Sequence, residues 1–537
     1  MVQRILGFLF LALMISAFVQ CARRGAPSGG IKDITPPKLI KAEPDNMSIN
    51  FKENRIRLYF NEYIKLKDLE KQLIISPPLK HQPIITPQGT PRKYVEILIK
   101  DTLRPNTTYT FNFGQSIVDN NEGNPSSYLT YIFSTGDYID SLTVSGVVVD
   151  GFNKAADPFI SVMLYEIDST YTDSTIYKSP PNYITNTLDS TIIFHLKNLK
   201  EGKYAMFALK DEAKNNVFDQ RTDKIAFIKD TISIPTDSVY LLTLFKENPN
   251  YSISVPSFAA KNKIIFGYQG NRQDIAINML SPLPDSVRTK ITKEPEKDTL
   301  NFWISPFTAD SLVFTVSNDQ EKLRDTFSVK TRKLAADTLM LRPNQNGTLE
   351  FGKPFYIGAN TPISAVDSSK ISLWRNDSTE IRKTVFLDTL SNKIDLDFEV
   401  EPNESYTLDL LPGAVEDFFS TKNDTLSINL NTKSYADFGT LRLNLNGKVT
   451  FPLILQLTDE KGITKKEIFA TEPKMFEFNH IAPAKYMVRV IHDGNGNQKW
   501  DTGNYLKGIH PEKVSYYPTV LEIRANWEME QTFTISN

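Results

Sequence analysis

Phe194, Leu199, Lys203, Tyr204, Asp211, Asn215, Phe218 and Asp219 recur without a gap, 282 residues on, as Phe476, Ile481, Lys485, Tyr486, Asp493, Asn497, Trp500 and Asp501. A repeat of that kind specifies one folding unit twice. A second repeat is offset by 297 residues: Leu103-Arg-Pro105-Asn106-Thr-Thr108-Tyr109-Thr-Phe111 lies over Val400-Glu-Pro402-Asn403-Glu-Ser405-Tyr406-Thr-Leu408. A one-residue slip then sets Ile117-Val-Asp119 over Val415-Glu-Asp417. Two interleaved repeats in 537 residues require several modules, each with its own core.

The local pattern inside the repeats is strand. Ile56, Leu58 and Phe60 alternate with Arg55, Arg57 and Tyr59, and the same period of two runs through Val95-Glu-Ile97-Leu-Ile99 and Tyr109-Thr-Phe111-Asn-Phe113. Between the last two runs, Leu103-Arg-Pro105-Asn106-Thr107 reads as a turn. Aromatic residues reach 11%, as half-buried strands favour, so the chain is expected to be all-β. Near the C-terminus Leu521, Ile523, Ala525, Trp527 and Met529 alternate with charged and polar residues, which predicts one long closing strand. The net charge of -2 offers no basic excess for phosphates, which argues against a nucleic-acid partner.

The one cysteine, Cys21, excludes an intrachain disulfide and a thiolate cluster. Upstream of it lie Arg4, an apolar run from Ile5 to Val19 too short to span a bilayer comfortably, and Gln20. With Phe18 and Val19 at the apolar positions, this junction resembles the lipobox of bacterial lipoproteins, although Gln20 stands where Gly, Ala or Ser is usual. The resemblance implies a signal peptide over 1–20 and a lipid on Cys21, which would make the membrane the first partner. Ala22 is not the aspartate that retains enteric lipoproteins in the inner membrane, so the outer membrane is implied and the leaflet stays open. The alternative is a plain signal peptide, or an uncleaved anchor, with an incidental cysteine. Residues 21–35, with Arg23-Arg24-Gly25-Ala26-Pro27-Ser28-Gly29-Gly30, read as a flexible tether.

Pro36-Pro37, Phe60-Asn61-Glu62, Leu103 to Tyr109 and Phe133-Ser-Thr135 resemble the bacterial Ig-like domain of S-layer-type and other envelope proteins. That resemblance implies a two-sheet sandwich over 36–137, and the 297-residue repeat implies a second one over 336–435. The segments Val144-Ser-Gly146-Val147-Val-Val149, Val162-Met-Leu164-Tyr165 and Leu196 to Tyr204 resemble the transthyretin-like or carboxypeptidase-regulatory-like sandwich. They imply such a domain over 140–237 and a second over 437–537. The second copy has Ala484 where the first has Gly202, so its turn is expected to differ. Residues 240–335 read as a further β domain of no recognised family.

The sharpest chemical pattern is Asp493-Gly-Asn495-Gly-Asn497-Gln-Lys-Trp500-Asp501. Asp493, Asn495, Asn497 and Asp501 place oxygen ligands as an EF-hand loop begins, so calcium is one reading. Gln498 replaces the glycine such a loop needs, however, and Asn504 replaces its bidentate glutamate. The other reading is an Asx-rich turn whose side chains bond their own backbone, with Phe218 and Trp500 tucked into the sandwich. The five histidines, His81, His195, His480, His492 and His510, show no metal-binding spacing, and no nucleophile elbow or phosphate loop is present.

Acid pairs such as Glu401 and Glu404, or Asp395 and Asp397, fit solvated strands and turns better than the paired carboxylates of a glycoside hydrolase. Tyr516-Tyr517 is the best candidate for a glycan platform. The expected function is therefore that of a lipid-anchored, non-catalytic envelope protein, structural or protein-binding, with an envelope protein as partner. A polysaccharide-binding surface lipoprotein, with a glycan as partner, is the alternative, and a hydrolase stands behind both.

Overall fold

The computed structural model describes residues 33–535 except 127, 188–190, 271–274, 283 and 308. The expected signal peptide, Cys21 and most of the tether lie outside the described residues. The described residues form two compact units, one within 33–147, 158–207 and 230–240, the other within 148–157, 208–229 and 241–535. Strands dominate both. Among the described residues the only α-helical segment is the single turn Leu69–Gln72, and no helix is long and apolar enough to cross a membrane.

In the first unit, strand Arg55–Leu66 buries Ile56, Leu58, Phe60 and Ile64 and points Arg57 and Tyr59 outward, as the alternation dictates. It lies between Leu39–Glu43 and Arg92–Leu98, and Ile84–Thr86 forms the edge. Ile117–Asp119 pairs with the far end of Arg55–Leu66. The facing sheet has the order Ile74–Ser76, Thr108–Asn112, Thr130–Ser134. Phe133 lies at the centre of the core between them, its ring 3.9 Å from Phe51 and 5.5 Å from Tyr109. Truncating a phenylalanine buried this way costs about 3–5 kcal/mol.

Also within this unit, Ser161–Glu166 pairs with Tyr183–Asn186, Ile193–Leu199 pairs with residues 142–147, and Ile232–Ile234 pairs with the start of Gly202–Lys210. These strands meet the first sandwich through side chains. Asn198 Nδ2 donates to Asp140 O at 2.8 Å, and the Ile184 amide donates to Ser76 Oγ at 3.1 Å.

Three further sandwiches lie in the second unit. Residues 252–330 fold into sheets ordered Ser252–Ile253, Lys263–Gln269, Thr299–Ile304, Thr289–Lys293, and Ile275–Met279, Ser311–Asn318, Leu323–Lys330. Phe266, Phe302 and Phe314 meet edge-on between them, with centroids 5.0–6.4 Å apart. Residues 341–431 bury Phe355, Ile357, Leu373, Leu396, Tyr406 and Leu408.

The last sandwich pairs the sheet Phe476–Ile481, Gly439–Gly447, Glu528–Ile535 with the sheet Thr464–Ala470, Leu453–Thr458, Ala484–Ile491, Val514–Tyr516. Glu528–Ile535 runs parallel to Gly439–Gly447. At its edge Gly439 has no room for a β-carbon, which would sit 2.6 Å from Arg524 O.

Two readings of the sequence are corrected. The closing alternation is not one strand: Leu521–Ile523 pairs with Ala484–Tyr486, Glu528–Ile535 changes sheet, and Asn526 between them takes a left-handed φ of 55°. Trp527 is left 53% exposed, because the chain turns from one sheet to the other where a single strand would have had to serve both. Nor do the turns at Gly202 and Ala484 differ as expected. Neither residue has a positive φ. The left-handed residues are Asn198 (57°) and His480 (53°), which occupy the same place in the 282-residue repeat.

Candidate functional site

The four residues singled out for calcium sit in the long connection between strands Ala484–Ile491 and Val514–Tyr516. Asp493, two residues past the end of the first strand, is fully buried, and its two oxygens accept the amides of Gly496, Asn497 and Gln498 at 2.8–3.1 Å. Asn495 and Asn497 each use Oδ1 to accept an amide two residues on, and each donates Nδ2 to Asp501 Oδ2, at 2.5 and 2.8 Å. The structure thus brings Asp493, Asn495, Asn497 and Asp501 together. Every contact among them is a nitrogen donor meeting an oxygen, the pattern of an Asx turn. Among the described residues no group of three or more His, Cys, Asp or Glu side chains could hold a metal ion.

Glu512 completes the loop and was missed in the sequence, because it lies beyond the spacing that any short pattern inspects. Its carboxylate accepts the Gly494 amide at 2.7 Å and the Asp501 amide at 3.0 Å, and its backbone carbonyl accepts Trp500 Nε1 at 2.9 Å. Burial pushes the Glu512 carboxyl above its ordinary range. The charges of Asp501 and Asp493 add to that rise, and the two amides oppose it.

The equivalent loop of the earlier repeat has the same backbone. Lys214 and Asn216 are left-handed, at 54° and 58°, where Gly496 and Gln498 are left-handed at 73° and 62°. Asp211, in the place of Asp493, accepts the Asn216 amide at 2.6 Å, and burial raises its carboxyl too, against the backbone amides that lower it. Gln498 therefore fills a left-handed position, a conformation open to it at modest cost.

The other candidates are held in local contacts. Tyr516 and Tyr517 are half-buried: the Tyr516 hydroxyl donates to Phe152 O and the Tyr517 hydroxyl to Gln531 Oε1. His492 bonds Ser515 at 3.1 Å. Glu401 binds Arg375 at 2.8 Å, and Asp395 binds Lys393 at 2.8 Å. In the first unit an open hollow of about 380 Å³ is lined by Tyr165, Asp168, Thr172, Thr175 and Lys178 among others. Asp168 is tied there to the hydroxyl and amide of Thr170, which lower its carboxyl.

The fold and these loops define a class: a tandem array of β-sandwich modules whose distinctive polar residues build turns. Within it, residues 33–135 match the bacterial Ig-like domain family. No curated protein matches the chain. Solved structures similar to it include the S-layer protein rSbsC, 11% identical over 90% of this chain and 67% of that one, with a TM-score of 0.14. A tandem of titin domains is 11% identical over 52% of this chain and 100% of that one, at 0.13. The major pilin subunit of Bacillus cereus, BcpA, is 9% identical over 74% and 99%, at 0.13.

Proposed function

We propose that this chain is a lipid-anchored, non-catalytic protein of the bacterial envelope, which works by holding sandwich modules at fixed spacing from a membrane and presenting their end loops to a protein partner. The observation that carries this reading is how the modules are joined. Arg288 lies over the Phe418 ring at 5.0 Å and donates to Phe418 O at 2.8 Å, and Trp303 meets Phe419 at 6.3 Å. Further along, His480 stacks on Tyr435 at 4.6 Å and packs against Phe351 at 5.0 Å. Aromatic joints of this kind make successive domains a stiff array, whereas polar linkers would leave them independent.

The test is cross-linking in cells of the tagged full-length protein, with Cys21→Ala as control. Reproducible capture of one envelope protein, lost in the control, is the expected result. Recovery of only lipid and polysaccharide would overturn the protein-binding role and put glycan binding in its place.

A further inference from the structure

The second unit holds, besides its three sandwiches, three short segments from earlier in the chain. They carry groups that meet the Asx-rich connection of the last sandwich. Residues 150–157 form a loop fixed by its own amides and by Lys224 of a second segment. Asp150 accepts the amides of Phe152 and Asn153 at 2.9 and 2.6 Å, and Lys224 bridges Asp150 and Asp157 at 2.7 Å each. Burial works against the Lys224 charge, but the two carboxylates prevail and hold its ammonium above the ordinary lysine range.

What the loop presents is Phe152. The ring lies 4.6 Å from that of Trp500, and the guanidinium of Arg489 sits over it at 4.2 Å. Arg489 is 3% exposed, and its nitrogens bond Gln456 at 2.5 Å and Thr464 at 3.3 Å, neither of them an acid. A buried cation so placed gains from an aromatic face. The Tyr516 hydroxyl donates to Phe152 O at 2.5 Å, and Lys154 Nζ donates to the carbonyls of Tyr517 and Pro518 at 3.1 and 2.8 Å.

A second group of contacts lies at residues 245–247. Thr502 Oγ1 donates to Lys246 O at 2.6 Å, and the Tyr505 amide donates at 2.5 Å to Glu247, a carboxylate 2% exposed whose other oxygen accepts Gln220 at 2.8 Å. Gly503 lies so close to Phe245 that a β-carbon there would fall 2.6 Å from the ring. A third contact is His510 stacked on Phe227 at 4.5 Å.

We infer that Arg489, Trp500 and Tyr516 form a socket on the last sandwich for an aromatic residue on a tight turn, that its occupant is this chain's own Phe152, and that this pairing latches the second unit on itself. The chemistry of the socket supports this. Arg, Trp and Tyr are the residue types that dominate binding at protein interfaces, and here they converge on one ring. The Asx-rich loop gains a role from it: its hydrogen-bond network holds Trp500, Thr502 and Tyr505 at the spacing the seat requires. The inference stands independently of the lipid anchor and of any partner.

Phe152→Ala, Glu247→Ala and their combination in the full-length protein test it, read by hydrogen exchange of residues 493–512 and by the radius of gyration in solution. Exchange at the Tyr505 amide should rise about tenfold or more in Glu247→Ala, the loss of one hydrogen bond to a carboxylate. The double variant should expand with its sheet circular dichroism intact. Unchanged exchange and an unchanged radius in a folded double variant would overturn the latch. If that variant does not fold, Tyr516→Phe keeps the ring and removes the hydroxyl's bond to Phe152 O together with its long contact to Arg489 at 3.5 Å. Faster exchange over 150–157 would then support the latch, and unaltered exchange would overturn it.

Discussion

His480 and His492 sit where protonation is penalised. Burial lowers both, with Lys466 adding to the effect at His480 and Lys513 at His492. A histidine depressed in the folded state favours its neutral form there. Its contribution to stability is complete above the unfolded value of about 6.5 and is lost as pH falls from there through the folded value. Imidazole titrations followed by NMR, assigned with His480→Gln and His492→Gln, should give midpoints for both below about 6.5. A midpoint at or above that value for either would refute the assignment of burial as the cause. For His480 the consequence reaches past the residue, because its ring is packed among Tyr435, Phe351 and Phe438 at a joint between modules.

At the scale of the element, the turn before the tyrosine strand is built alike in both copies of the 297-residue repeat. Asn106 and Asn403 are left-handed, at 48° and 59°. Tyr109 accepts the Arg104 amide at 2.9 Å, and Tyr406 accepts the Glu401 amide at 2.8 Å. A β-branched side chain at such a position meets the following carbonyl, so Asn403→Val should lower stability by about 1–2 kcal/mol, while Asn403→Gly should be nearly neutral. Urea unfolding of the two variants compares them directly, and equal midpoints would show that the left-handed turn carries no strain.

This turn also shows what the sequence made legible. The aligned Pro-Asn and Tyr of the repeat carried both the turn and the strand after it, because those residues act on their own neighbours. The all-β class and the Ig-like module, read over 36–137 and matched by the family over 33–135, followed from equally local signals. The break at Asn526 was not legible, since alternation persists through it and only the competition of two sheets for one segment interrupts it. Glu512 and Phe152 were invisible for a related reason. Each gains its role from residues distant in sequence, and neither belongs to a pattern of fixed spacing.

At the scale of the whole molecule, the cations at the joints of the second unit meet carbonyls and rings. Arg288 goes to Phe418, Lys290 to Ile363 O at 2.5 Å, Lys154 to Tyr517 O and Pro518 O, and Arg489 to Phe152. Salt screens pairs of exposed full charges far more than contacts of this partly buried kind. The radius of gyration should therefore stay constant between about 0.05 and 1 M sodium chloride, where the Debye length shrinks from above 10 Å to about 3 Å. Expansion with salt would mean that long-range attraction between charges holds the unit closed.

The latch also decides how this chain would bear a pull. It joins residues 150–157 to residues 489–518, so tension applied from residue 148 to the C-terminal strand can pass across the latch and leave the two sandwiches between 252 and 431 unloaded. The weakest connection in that path is a handful of side-chain contacts, while every sheet is held by its backbone ladder. Under load the latch would part first, and the intervening modules would pay out as folded slack before any of them unravelled.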